Sequence, residues 1–227
     1  VELLREENGD DLLGALATGS RVHGTPGPTS DLDVQVVIGS MRRQRRNIIL
    51  HGVEIEMFFN PPARVRGYFA DRHLGSLHMF AFGHPIHDPG GVVAELRHEA
   101  RAIWQAGPPP LPASKHWHPR YVLADMVRDL TDLAGDPPAA ALQIARIVDT
   151  ALLAHSQLAG EWPEKPKRRL AALAQQHPAL ASLAVRALSD GPLDERRVAA
   201  AAFAAQVLAP IGGLMPLEWH SDWEALG

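Results

Sequence analysis

Two hydrophobic periods divide the chain. From Leu12 to Phe59 apolar residues form short runs or alternate with polar ones at every second position. Beyond Pro112 they recur at spacings of three and four. A period of two marks strands and a period near 3.6 marks helices. The first region therefore reads as a short amphipathic helix over 1–8, a buried strand from Leu12 to Ala17, and a strand from Asp31 to Ile38. A hairpin of 47–50 and 53–59 follows, turning at His51-Gly52. On the second strand Leu32, Val34, Val36 and Ile38 share one face, and Asp31, Asp33, Gln35 and Val37 share the other. Val53, Ile55 and Met57 alternate with Glu54 and Glu56 in the same way. Residues 22–29, rich in Gly, Pro and Thr, read as an irregular loop, and Met41 to Arg46 as a basic turn.

Helical spacing then takes over. One helix is predicted to open near Ala63 behind Pro61-Pro62. A second runs to Phe82 with Ser76 as its cap. A short strand and turn span 85–91, and Val93, Leu96, Ala100 and Ile103 mark a helix over 92–105. Gly107-Pro108-Pro109-Pro110-Leu111-Pro112 reads as a linker. Past it come Ala- and Leu-rich helical runs over 121–133, 138–158, 167–187 and 194–208. Pro178 splits or kinks the third run, and Asp194 is expected to cap the last. The expected architecture is α+β: a mixed-sheet domain over 1–107, then an all-α bundle of four or five helices over 113–227.

Composition narrows the function classes. The chain has 227 residues, 46% of them hydrophobic, and a net charge of −4. Neither half is strongly basic, so binding to duplex DNA is not expected. This sequence holds no cysteine, which excludes disulfides and thiolate metal sites within it. No apolar run reaches the eighteen residues of a membrane span. The charged start Val1-Glu2-Leu3-Leu4-Arg5-Glu6-Glu7 has no signal-peptide layout, and a cytoplasmic location is expected.

The candidate chemistry lies in the strand region. Asp31 and Asp33, two residues apart on one strand, project to the same side, and their charges repel unless a cation joins them. Oxygen donors in that arrangement suit Mg²⁺ or Mn²⁺. Glu54 or Glu56 on the next strand can supply a third carboxylate, the number that holds two ions about 4 Å apart for phosphoryl transfer. Gly19-Ser20 ends the first strand in a small-residue turn whose backbone N–H groups and hydroxyl suit a phosphate.

Gly19-Ser20, the ten-residue spacer, Ser30-Asp31-Leu32-Asp33 between apolar residues, and the later strand acid resemble the motifs of the DNA polymerase beta-like nucleotidyltransferase superfamily. The closer likeness is to the minimal and aminoglycoside-type bacterial members, and it covers roughly Leu13 to Pro61. The resemblance implies a catalytic and metal-binding set of Asp31, Asp33 and Glu56. It favours Glu56 over Glu54 because an apolar stretch and Pro61 follow Glu56. It also implies a nucleotide-binding set of Gly19, Ser20, Arg21 and Ser30. The implied activity is Mg²⁺-dependent transfer of a nucleoside monophosphate from an NTP to a hydroxyl acceptor with release of pyrophosphate. A small molecule is the favoured acceptor, with tRNA or protein as alternatives, in a monomer or homodimer. Two alternatives stay open on the same resemblance: a toxin–antitoxin-associated nucleotidyltransferase that modifies tRNA or protein, and a non-catalytic nucleotide-binding regulator. Gly160-Glu161-Trp162-Pro163-Glu164-Lys165-Pro166-Lys167 looks like a turn found in helical domains of this kind.

Other residues have plainer readings. Twelve histidines are present, densest at His84-Pro85-Ile86-His87-Asp88 and His116-Trp117-His118. Neither group has helical metal-ligand spacing, and both read as exposed loops. His23 follows the Gly-Ser turn and can reach a triphosphate or be an ordinary loop residue. Arg42, Arg43, Arg45 and Arg46 can meet phosphate or RNA, or form a solvated rim that discourages strand aggregation. Lys165 and Lys167 reach the nucleotide if the bundle closes on the cleft. The five tryptophans read as core or interdomain residues, one of them available for stacking a base. The 219–223 tail has no assigned role.

Overall fold

The computed structural model describes residues 1–221 and Trp223. Asp222 of the tryptophan-containing tail, and the last four residues of the expected 113–227 domain, lie outside the described residues. The chain forms two compact units, Val1–Gly107 and a second from Pro108 onward.

The first unit runs α1 (Glu2–Asn8), β1 (Leu12–Thr18), β2 (Leu32–Ile38), β3 (Gln44–Leu50), β4 (Val53–Asn60), α2 (Pro62–Ala70), α3 (Leu74–Phe82), β5 (His84–His87) and α4 (Val92–Ala106). The strands make one mixed sheet in the order β3-β4-β2-β1-β5. β2 pairs antiparallel with β1 and parallel with β4, so the chain leaves β2, forms the edge strand β3, and turns back into the gap. Residues opposite one another in register share a face. One face buries Val34, Val36, Met57 and Phe59 against Leu4 of α1. The other face carries Leu16, Gln35 and Phe58 in one row and Thr18, Asp33 and Glu56 in the next. There Met79 of α3 accepts a bond from Gln35 at 3.0 Å, so α3 lies over that face one row from the acids.

Several local expectations change. Residues 44–46 belong to β3 and not to a turn, because Arg45 and Arg46 pair with Phe58 and Met57 of β4. The backbone N–H of Ser76 donates to the ring of His73, which is the true cap of α3 at 3.2 Å. His84 to His87 form the edge strand β5, where Pro85 is tolerated because an edge needs fewer backbone donors. Asp88 then takes up the N–H groups of Val93 and Ala94 at 2.9 and 2.8 Å and starts α4.

The second unit is helical: α5 (Trp117–Asp132), α6 (Pro137–Ala159), α7 (Pro166–Gln176), α8 (Pro178–Leu188) and α9 (Leu193–Leu208). α5 begins before Tyr121, so Trp117 and His118 lie in a helix and not in a loop. Asp136 caps α6 by accepting from Ala139 N–H at 3.1 Å, beside a first-turn proline. Pro178 separates α7 from α8 completely. α9 starts one residue before Asp194, which instead sits in the first turn and pairs with Arg197 at 3.2 Å. The core joins Leu123, Ile144, Ile147 and Phe203, all fully buried. Among the described residues, no helix is long and apolar enough to cross a membrane.

Asp11 fastens the start of β1 to the end of β2. Its carboxylate accepts from Ser40 N–H at 2.7 Å, from the Ser40 hydroxyl, and from Arg42 at 3.0 Å. The Ser40 hydroxyl bond, then the Ser40 N–H and Arg42, hold the Asp11 carboxyl below its ordinary value. A carboxyl lowered in the folded state contributes stability that is complete above its unfolded value of 3.8 and is lost as pH falls through the folded one. Urea midpoints should therefore drop more steeply below about pH 4 in the parent than in Asp11→Asn. Parallel acid limbs would remove Asp11 from the account.

Candidate active site

The acids are brought together by strand register. β2 and β4 run parallel with Asp33 opposite Glu56, and β1 places Thr18 on the other side of Asp33. Asp31 precedes β2 by one residue and projects with Asp33. One carboxylate oxygen each from Asp31, Asp33 and Glu56 lies within 4.8 Å of the other two. Asp33 and Glu56 are only 8% and 9% exposed. Glu54 shares the face of Glu56 but is taken up by Asn47, whose side-chain amide donates to it at 2.7 Å.

Buried carboxylates side by side are costly unless positive charge offsets them. Glu56 has such a partner in Arg45 of β3, whose guanidinium forms a hydrogen bond and ion pair with it and also lies 5.2 Å from the Phe58 ring centre. This partner escapes a sequence reading that starts the strand after Arg46.

Gly19 makes the turn beside the acids. Its φ of +93° is one that a side chain strains to adopt. A Cβ there would stand 2.7 Å from Asp33 Oδ2, so the backbone passes directly against that carboxylate. The loop after it is closed on itself. Ser20 Oγ donates to Ser30 Oγ at 2.8 Å, Gly27 N–H donates to Ser30 Oγ at 2.8 Å, and Arg21 Nε donates to the Ser30 carbonyl at 2.6 Å. Ser20, Arg21 and Ser30 thus close one loop, and Gly19 at its start packs against Asp33.

The donor set fits a hard divalent cation. Three carboxylates converge, two of them nearly buried, and beside them the Thr18 hydroxyl, 1% exposed, has no hydrogen-bond partner among the described residues. An orphaned buried hydroxyl is rare and calls for a missing partner such as water or an ion.

The other candidates are distributed differently. His23 donates its N–H to the Gly19 carbonyl at 3.2 Å, and its ring meets His78 edge-on at 5.8 Å. His78 also contacts Phe82 and Trp104, an aromatic patch that the sequence did not announce. His87 bonds Arg5 at 3.2 Å, and burial followed by Arg5 lowers its pKa. Among the described residues, no histidine joins a group of three close ligands. Arg42 and Arg46 are held by Asp11 and Glu7. Lys165 is the residue before α7 and Lys167 lies in its first turn. Trp117 stacks on Trp219 at 5.6 Å, Trp162 lines a cavity of about 100 Å³ between α6 and α7, and Trp223 is fully exposed rather than core.

No family model matches the chain, and no curated protein matches it. Among solved structures it is similar to a nucleotidyltransferase-like protein from Exiguobacterium sibiricum 255-15. The two are 13% identical, with a TM-score of 0.53, over 92% of this chain and 73% of that one. The shared architecture is an α+β nucleotidyltransferase-like fold, a mixed five-stranded sheet followed by a helical region.

Gly19→Ala tests the close approach. Backbone strain and the encounter with Asp33 should together cost about 2 kcal/mol, read as a lower urea midpoint. A variant as stable as the parent would show that the turn has room for a side chain.

Proposed function

We propose that the chain is a divalent-metal-dependent nucleotidyltransferase. It moves a nucleoside monophosphate from an NTP to a hydroxyl acceptor and releases pyrophosphate. The observation that carries this reading is the convergence of Asp31, Asp33 and Glu56 within 4.8 Å, with the Gly19 turn packed on Asp33. The likeness of fold to a nucleotidyltransferase-like protein supports the same class.

Asp31, Asp33 and Glu56 would hold Mg²⁺ or Mn²⁺. When bound, such ions lower the pKa of a coordinated hydroxyl and neutralise the charge that develops on a leaving pyrophosphate. The protein's own residues supply the rest. Gly19 and Ser20 let the triphosphate approach the backbone closely, and Ser30 and Arg21 keep that turn closed while adding positive charge. The acceptor oxygen forms a bond to the α-phosphorus as the bond to the bridging oxygen of pyrophosphate breaks. Glu56 would complete the metal site or accept the hydroxyl proton. The helical unit would bind the acceptor or act as a lid, with a small molecule favoured as acceptor over tRNA or a protein side chain. The setting is the cytoplasm.

Incubation with each α-labelled NTP, Mg²⁺ and separate pools of small molecules, tRNA and protein tests the reading. Label should move to one pool in the parent. Losing a metal ligand should slow transfer by on the order of a hundred- to a thousandfold in Asp33→Asn, because several kcal/mol of charge stabilisation go with it. The same variant should melt no lower than the parent in metal-free buffer, since it relieves repulsion among acids. A clearly lower Tm would make Asp33 structural. NTP and Mg²⁺ bound without turnover would make the protein a regulator.

A further inference from the structure

The Arg45 side chain is bonded to the acid cluster through Glu56, and the proposed chemistry does not use it. Arg45 lies on the edge strand β3, in the row next to Asp33 and Glu56 on the same sheet face. Its guanidinium takes a Glu56 oxygen through a hydrogen bond and an ion pair. Its own side chain is 69% exposed, whereas that of Glu56 is 12% exposed. The cation is therefore free to swing into water, and the carboxylate is not. Of the four arginines over 42–46, Arg42 and Arg46 are bound to Asp11 and Glu7, away from the acids, and Arg43 is exposed.

We propose that Arg45 is a resident counter-ion of the third carboxylate, displaced from Glu56 when a divalent cation enters, and thereby a positioning residue that tunes metal loading. The inference rests on the metal-site reading above. Without a cation, three carboxylates within 4.8 Å repel one another, and a guanidinium on one of them keeps the cluster assembled. A divalent ion needs the same Glu56 lone pairs, so Arg45 and the ion compete for one ligand. Once released, the exposed guanidinium on its strand faces the side from which an anionic nucleotide approaches the acids, and a phosphate then takes the place of Glu56 as its partner. Nucleotide and metal therefore favour one another through Arg45, each removing the competitor of the other.

The test is Mn²⁺ binding without nucleotide, by calorimetry and by the electron paramagnetic resonance signal of free Mn²⁺, in parent, Asp33→Asn, Arg45→Gln, Arg45→Lys and Arg43→Gln. Arg43→Gln removes the same charge two residues away and controls for long-range electrostatics. Arg45→Gln should bind Mn²⁺ about tenfold more tightly than the parent, the scale of one lost charged competitor. Arg43→Gln should stay within about twofold. Arg45→Lys, which keeps the charge but lacks the planar fork, should fall between parent and Arg45→Gln. Equal shifts in Arg45→Gln and Arg43→Gln, or weaker Mn²⁺ binding in Arg45→Gln, would overturn the counter-ion role while leaving the metal site standing. A parent whose Mn²⁺ binding is absent, or is unchanged in Asp33→Asn, would overturn both. Thermal melts of the variants without metal verify that each is folded, and the exposed position of Arg45 makes Arg45→Lys the safeguard if Arg45→Gln melts early.

Discussion

The parallel pairing of β2 with β4 is the constraint on which the candidate site depends. It sets Asp33 against Glu56, while the antiparallel pairing of β1 with β2 sets Thr18 against Asp33. A slip of one residue would send Glu56, in the β2–β4 ladder, or Thr18, in the β1–β2 ladder, to the opposite face, among Val34, Val36, Met57 and Phe59. The apolar alternation that buries those residues on one side therefore fixes the donors on the other. Hydrophobic burial on the far face sets the register of the acids, which themselves repel.

That arrangement explains why the cluster needs positive charge. The sheet forces like charges into a partly dry row, where their repulsion calls for an offsetting positive charge. Arg45 answers for Glu56, and beside Asp33 the Thr18 hydroxyl has no hydrogen-bond partner among the described residues. The Gly19 turn makes the site compact: only a residue without Cβ lets the chain pass that close to a carboxylate.

Much of this was legible from residue order. The alternation over 32–38 and 53–57 reports strands with one apolar face, and the period-3.6 runs report the helices that follow. The α+β layout follows from those periods alone. What residue order hid came from tertiary pairing. Arg45 and Arg46 look like a basic turn because edge strands carry polar residues on both faces, and only their pairing with β4 makes them strand. His73 displaces Ser76 as a cap because its ring is held by the Ser76 backbone and hydroxyl, an uncommon use of histidine. Asp194 sits one residue inside its helix because Pro192 already supplies the backbone angles of a helix start. Within the candidate site, the strand face of each acid could be read directly. The neighbour of each could not, since the sequence does not state that β4 returns to lie between β2 and β3.

The return of β4 into the sheet also has a consequence for how such a protein is made and remodelled. Gly19, Asp31, Asp33, Arg45 and Glu56 all come from one stretch of fewer than sixty residues, closed by neighbouring strands. Loop closure over such short spans costs little chain entropy, so these groups meet through pairings close in sequence and without the Ala- and Leu-rich helices. The helical half contributes none of those five groups. Substitutions confined to the helical half therefore leave all five of these groups in place.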